Sequence, residues 1–109
     1  MKWHKILNNS DLKYPFIIKR KAGSTSVCLI GVDNEVHALA AKCPHAGAEI
    51  SQGWCKNGKL VCPHHRYSYD IFTGRGSPGQ GDYINVYPVE MRADGVYVGI
   101  KSFWSIFAG

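Results

Sequence analysis

Short runs of β-branched and aromatic residues, each bounded by Gly, Pro, Asn, Asp or Ser, recur along the chain, and no stretch sustains a helical period. The pattern predicts an all-β fold. Strands are expected over 3–7, 14–19, 26–32, 35–41, 51–55, 59–62, 67–72, 83–92 and 96–101. Asp33-Asn34, Asn57-Gly58 and Asp94-Gly95 fall between runs and carry the residue types that tight hairpins need, with Asn57-Gly58 the strongest signal. Between the first two runs, Ser10 can begin a short turn or a single helical turn. Pro15, which has no N–H to give to a ladder, favours an edge position for the second strand.

Two Cys/His pairs interrupt this framework, Cys43-Pro44-His45 and Cys62-Pro63-His64-His65, with sixteen residues between His45 and Cys62. The run 35–41 leads almost directly to Cys43, so the first pair sits where a strand becomes a loop. The Asn57-Gly58 hairpin then goes out and returns, bringing the second pair back toward the first at one end of a small sheet. The glycine-rich segment 75–82 is either a flexible linker or a third wall of the same site. Residues 43–82 therefore look like an inserted site-bearing unit, and residues 1–42 and 83–109 like the base that holds it.

Composition narrows the class. A chain of 109 residues with 45% hydrophobic and 19% charged residues suits one folded, loop-rich domain. The formal charge of +5 is compatible with an acidic protein partner, a nucleic acid or a membrane surface, or with nothing beyond a solvated basic face. The one run of like charge, Lys19-Arg20-Lys21, is too short for a nucleic-acid tail. Residues 1–9 show no apolar core of a secretory signal, and the apolar tail with Phe103, Trp104 and Phe107 is too short to span a bilayer. A cytoplasmic location with no membrane or nucleic-acid role is the expectation, the tail packing on the base sheet or touching a partner or second copy. Four cysteines in such a chain point to metal binding or reactivity before disulfides.

A set of two soft thiolates and two imidazoles suits zinc, or iron with sulfide, and not calcium or magnesium. Zinc modules usually group their cysteines together and their histidines together. Here each pair is mixed, which makes sense if two metals are ligated differently, the thiolates on one iron and the imidazoles on the other.

Cys-Pro-His, sixteen residues, then Cys-Pro-x-His followed by Tyr69-Asp70 and Thr73-Gly74 resembles the Rieske [2Fe–2S] family, and the likeness extends from Glu35 to the final strands around Tyr87-Pro88-Val89 and Val96-Tyr97-Val98. The resemblance implies a fold of small antiparallel sheets with a cluster-binding insertion in a base domain. It implies that Cys43 and Cys62 bind one iron and His45 and His65 the other, with His64 a bystander. In that family, high-potential members link the two ligand loops by a disulfide and give cluster sulfurs hydrogen bonds from a serine and a tyrosine. The matching positions here are Ala48 and His64, Tyr67, and Tyr69, so only the tyrosine is kept and a potential in the lower part of the family range is expected. Gly47 and its neighbours are expected to turn backbone amides toward cluster sulfur, and Pro78 to cover a third side. Cys28 is expected to be a buried small hydrophobe, Cys55 a free thiol, and His4 and His37 structural.

By the same resemblance the protein is a soluble one-electron carrier and not an enzyme. It would pass electrons from an NAD(P)H-dependent flavoprotein reductase to a terminal oxygenase or other oxidoreductase, as a monomer or weak homo-oligomer. The alternatives are the small subunit of an assimilatory nitrite reductase and, more distantly, a zinc-stabilised nucleic-acid-binding module.

Overall fold

The computed structural model describes residues 1–42, 50–62, 68–76 and 83–101. Among them are ten strands: β1 (Lys2–Leu7), β2 (Phe16–Ala22), β3 (Thr25–Val32), β4 (Glu35–Ala40), β5 (Trp54–Lys56), β6 (Lys59–Val61), β7 (Ser68–Asp70), β8 (Val86–Tyr87), β9 (Val89–Arg92) and β10 (Gly95–Ile100). They form three antiparallel sheets with orders β1-β10-β9, β2-β3-β4-β8 and β5-β6-β7. The all-β expectation holds.

The four-stranded sheet is the middle layer, and its sequence shows why. Successive residues of a strand face opposite sides, yet every residue from Val27 to Gly31 is buried. Val27 and Leu29 pack with Leu7, Val96 and Val98 of the β1-β10-β9 sheet. Cys28 and Ile30 pack with Leu60, Tyr69 and Ile71 of the β5-β6-β7 region. β4 repeats the division, with Val36 and Ala38 on the first side and Leu39 on the second. A strand covered on both faces needs an unbroken apolar run rather than an alternating one. Each large side chain so buried contributes about 1.5–3 kcal/mol.

The hairpins follow the turn chemistry. Asp33 and Asn34 both take positive φ (53° and 61°), as do Asn57 and Gly58 (53° and 76°), the twist that joins antiparallel strands through two residues. At the third hairpin the turn residues are Ala93 and Asp94, one position earlier than expected, and Gly95 already pairs with Arg92. Glycine is needed there for another reason: a Cβ would lie 2.2 Å from the Leu7 carbonyl oxygen, and φ is 153°.

Three further expectations are corrected. The run 83–92 is two strands, not one: β8 pairs with β4 and β9 with β10, and the change of sheet comes at Pro88, whose missing N–H breaks the ladder. The run 67–72 ends as a strand at Asp70, because the Asp70 carboxylate accepts hydrogen bonds from the Phe72 and Thr73 amides (2.8 and 3.0 Å) and starts a turn. The run 51–55 opens as a 3₁₀ turn over Ile50–Gln52, and the strand begins only at Trp54. Before β2, the helical turn covers Asn9–Asp11, and β2 is an edge strand that starts just after Pro15.

On the outer face of β1-β10-β9, the Arg92 guanidinium lies over Tyr97 (4.0 Å to the ring centroid) and near Trp3 (5.7 Å). The Tyr97 hydroxyl donates to the Asp94 carboxylate at 2.7 Å. That hydrogen bond is the main cause holding the Asp94 carboxyl below its ordinary range and pushing the Tyr97 phenol above its own. The depressed carboxyl stabilises the fold above about pH 4 and loses its effect as pH falls through its folded pKa. The raised phenol contributes below about pH 10 and loses its effect as pH rises through its folded pKa. The melting-temperature difference between the unaltered protein and Tyr97→Phe is therefore expected to be flat between these limits and to shrink outside them. A difference that persists undiminished at pH 3 would contradict it.

Candidate metal centre

Three chain segments close on one another by backbone bonds, and each carries a loop of the predicted site. Ala41 O accepts from Ile50 N at 2.9 Å, which joins the two ends of the loop that contains Cys43 and His45. Val61 pairs with Ser68 in the β6–β7 ladder, which joins the ends of the loop that contains His64 and His65. Gly76 bridges Tyr69, and Tyr83 bridges Arg75, so the ends of the third loop are held too. The closures adjoin one another: Tyr69 follows Ser68, Arg75 precedes Gly76, and the Ala40 N–H donates to Asn85 O two residues beyond Tyr83. The stems of the three segments thus close near one another, at strand ends of two sheets.

Of the four predicted ligands, Cys62 lies within the described residues and Cys43, His45 and His65 lie outside them, as do His64, Gly47, Ala48, Tyr67, Pro78 and the tail with Phe103, Trp104 and Phe107. Cys62 directly follows β6, the middle strand of its sheet, and is 0% exposed. Tyr69, on the adjacent strand, is also fully buried, and both belong to one apolar cluster with Ile50, Leu60, Ile71 and Ile84. No polar or charged side chain is buried among the described residues.

A thiolate in such surroundings is costly unless a metal carries the compensating charge. Cys62, the one predicted ligand among the described residues, sits on such a dry support, which suits a thiolate bound to a metal centre. Among the described residues no three His, Cys, Asp or Glu side chains gather into any other metal site.

The remaining thiols behave as expected. Cys28 is fully buried in β3. Cys55 is a free, half-buried thiol on β5, and burial first, then the nearby Asp33 charge, raise its pKa and keep it protonated. His37 is a half-buried structural histidine, its ring meeting the Phe72 ring edge-on at 4.7 Å, while His4 lies against Gly23 in the β2–β3 turn.

Sequence reasoning missed the part played by the turn after β7. Asp70 organises it through its carboxylate, its carbonyl accepts from Gly74 N at 2.8 Å, and Gly74 O accepts from Ile84 N at 2.7 Å. Gly74 has φ 77°, and a Cβ there would stand 2.0 Å from Ile84 O. The turn therefore brings the 83–87 segment against the β7 region. The signal was the Asp-x-x-Thr-Gly spacing, which pairs an Asx-turn starter with a residue free to take positive φ.

Among the described residues no helix is long and apolar enough to cross a membrane. A protein-family model described as the Rieske [2Fe-2S] domain matches residues 2–88. Human apoptosis-inducing factor 3 is 36% identical over 90 residues, which are 81% of this chain; the chain spans 15% of that relative's length. The ferredoxin component of the naphthalene 1,2-dioxygenase/salicylate 5-hydroxylase systems of a Ralstonia species is 29% identical over 84 residues, 75% of this chain and 80% of that protein. In fold, the chain is similar to the solved ferredoxin of carbazole 1,9a-dioxygenase from Nocardioides aromaticivorans, with a TM-score of 0.84 at 19% identity over 93% of this chain and 100% of that one.

Proposed function

Because the chain belongs to the Rieske [2Fe-2S] domain family, we propose that it is a one-electron carrier that delivers electrons to a terminal oxygenase or a similar oxidoreductase and has no catalytic activity of its own. The observation that carries this reading is its likeness to a dioxygenase-system ferredoxin component over most of both chains. Cys43 and Cys62 hold one iron and His45 and His65 the other. The burial of Cys62 at the end of β6 supports this set, as do the closed stems of the loops around it. When bound, the cluster supplies a one-electron couple whose imidazole ligation sets it above all-cysteine plant-type ferredoxins in potential.

The protein's own part is to keep the thiolate end dry and fixed. Tyr69, Leu60, Ile50 and Ile84 exclude water from the Cys62 side. Residues 43–82 act as the cluster-binding insertion on a base of residues 1–42 and 83–109, a division supported by the separate β5-β6-β7 sheet. An NAD(P)H-dependent flavoprotein reductase is the electron source, and the carrier works in the cytoplasm as a monomer or weak homo-oligomer. This part of the reading draws on the ferredoxin-component likeness.

Purified anaerobically, the protein is expected to be red-brown, with equimolar iron and acid-labile sulfide. When reduced, it should give an EPR signal whose average g lies below the free-electron value. Ala48, His64 and Tyr67 stand where high-potential members carry the disulfide and the serine, so the potential is expected in the lower part of the roughly −150 to +300 mV range. Equimolar zinc without iron or sulfide would overturn the carrier reading, and a potential well above zero would overturn the second-sphere argument.

A further inference from the structure

The last strand runs out beside a hollow whose walls are largely apolar. β10 ends at Ile100, and Lys101 stands on the rim of a cavity of about 450 Å³. The walls come from two sheets, Thr25 and Tyr87 from β2-β3-β4-β8 and Ile100 from β1-β10-β9, with Met1 and Pro88 beside them. Met1 (53%) and Pro88 are exposed, and Tyr87 and Ile100 are half-buried. Met1 is seated against β10, its sulfur 2.5 Å from the place of a Cβ on Gly99, and the Pro88 carbonyl accepts from Gly99 N at 3.0 Å. Lys101 carries the one charged side chain among the described residues that line the hollow.

The rest of the chain has the matching character. Segment 102–109 carries Phe103, Trp104, Ile106 and Phe107 and no charged side chain. Phe103 is two residues beyond Lys101, a span of at most about 7 Å, so the first aromatic side chain is within reach of the mouth. Tethered there, the tail is a local ligand at an effective concentration on the order of mM, which a separate partner would have to exceed. An uncharged segment pays no charge desolvation on entering, and its aromatic rings take large apolar areas out of water.

We propose that this hollow is the docking site for the chain's own segment 102–109, with Phe103 and Trp104 packing on Met1, Tyr87, Pro88 and Ile100. The tail is then a strap that completes the base and not an arm held out to a partner or a second copy. The proposal goes beyond the carrier reading and is independent of what the metal centre holds.

The two methionines supply the probe and its control, since Met1 lines the hollow and Met91, 50% exposed on β9, does not. In the oxidised holoprotein labelled with ¹³C-methyl methionine, the Met1 methyl is expected to show NOEs to the aromatic protons of Phe103 or Trp104, and the Met91 methyl none. A stop codon after Lys101 is expected to move the Met1 methyl resonance by removing the ring currents, to leave Met91 in place, and to lower the melting temperature by about 5 °C. Trp104→Ser in the full chain should move the same Met1 signal in the same direction, and it carries the comparison if the shortened chain does not fold. The proposal is overturned if the Met1 methyl has no NOE to the tail, or if both variants leave its resonance and the melting temperature unchanged. It is equally overturned if sedimentation shows a dimer and isotope-filtered NOEs run between copies, which would seat the tail of a second copy in the hollow.

Discussion

Cys62→Ser is expected to yield a colourless protein with near-complete loss of bound iron and sulfide, whereas Cys55→Ser keeps both. The two cysteines lie seven residues apart on adjoining parts of one hairpin, so sequence proximity does not separate them. Their surroundings do. Cys62 is fully enclosed by the apolar cluster, where a serine oxygen is a harder donor and a poor substitute for a thiolate on iron. Cys55 is half-buried on an edge strand, with its thiol held protonated by burial and by Asp33. Iron and acid-labile sulfide assays with the visible spectrum read the result. A Cys62→Ser protein retaining a full complement of cluster would remove Cys62 from the ligand set.

Tyr69→Ala is expected to lower stability by about 3–5 kcal/mol, the range for emptying a large aromatic site in a packed core. Tyr69 is the largest of the fully buried side chains. It lies on β7 opposite Leu60 and also bridges Gly76, so its ring fills the space where the β5-β6-β7 sheet meets the middle layer. Urea unfolding of the holoprotein measures the loss, and Tyr69→Phe, which keeps the ring, is expected to retain most of the stability. If Tyr69→Ala cost less than about 1 kcal/mol, the ring would not be a core element in the sense argued.

The flank residues carried most of the information about the fold. The continuous apolar run before Asp33-Asn34 and the Asn57-Gly58 dipeptide each allow few local structures, because positive φ at two successive positions and burial on two faces are demanding conditions. The run around Pro88 was harder to read, since a proline between two apolar stretches does not say whether the strand ends or changes sheet. Asp70 was harder still: its carboxylate captures amides two and three residues ahead, a local contest with the strand that composition alone does not resolve.

For the centre itself, sequence alone determined the donor types, their order and the hairpin that returns the second pair to the first, because ligand chemistry and turn chemistry are both local properties of residues. Only the tertiary structure decided that the stems of the three predicted site segments close near one another, and that Cys62 is fully buried while Cys55 is not. These outcomes depend on which strands of distant sequence lie side by side. That choice is made by burial on both faces of β3 and β4, a cooperative property of the whole core that no single segment carries.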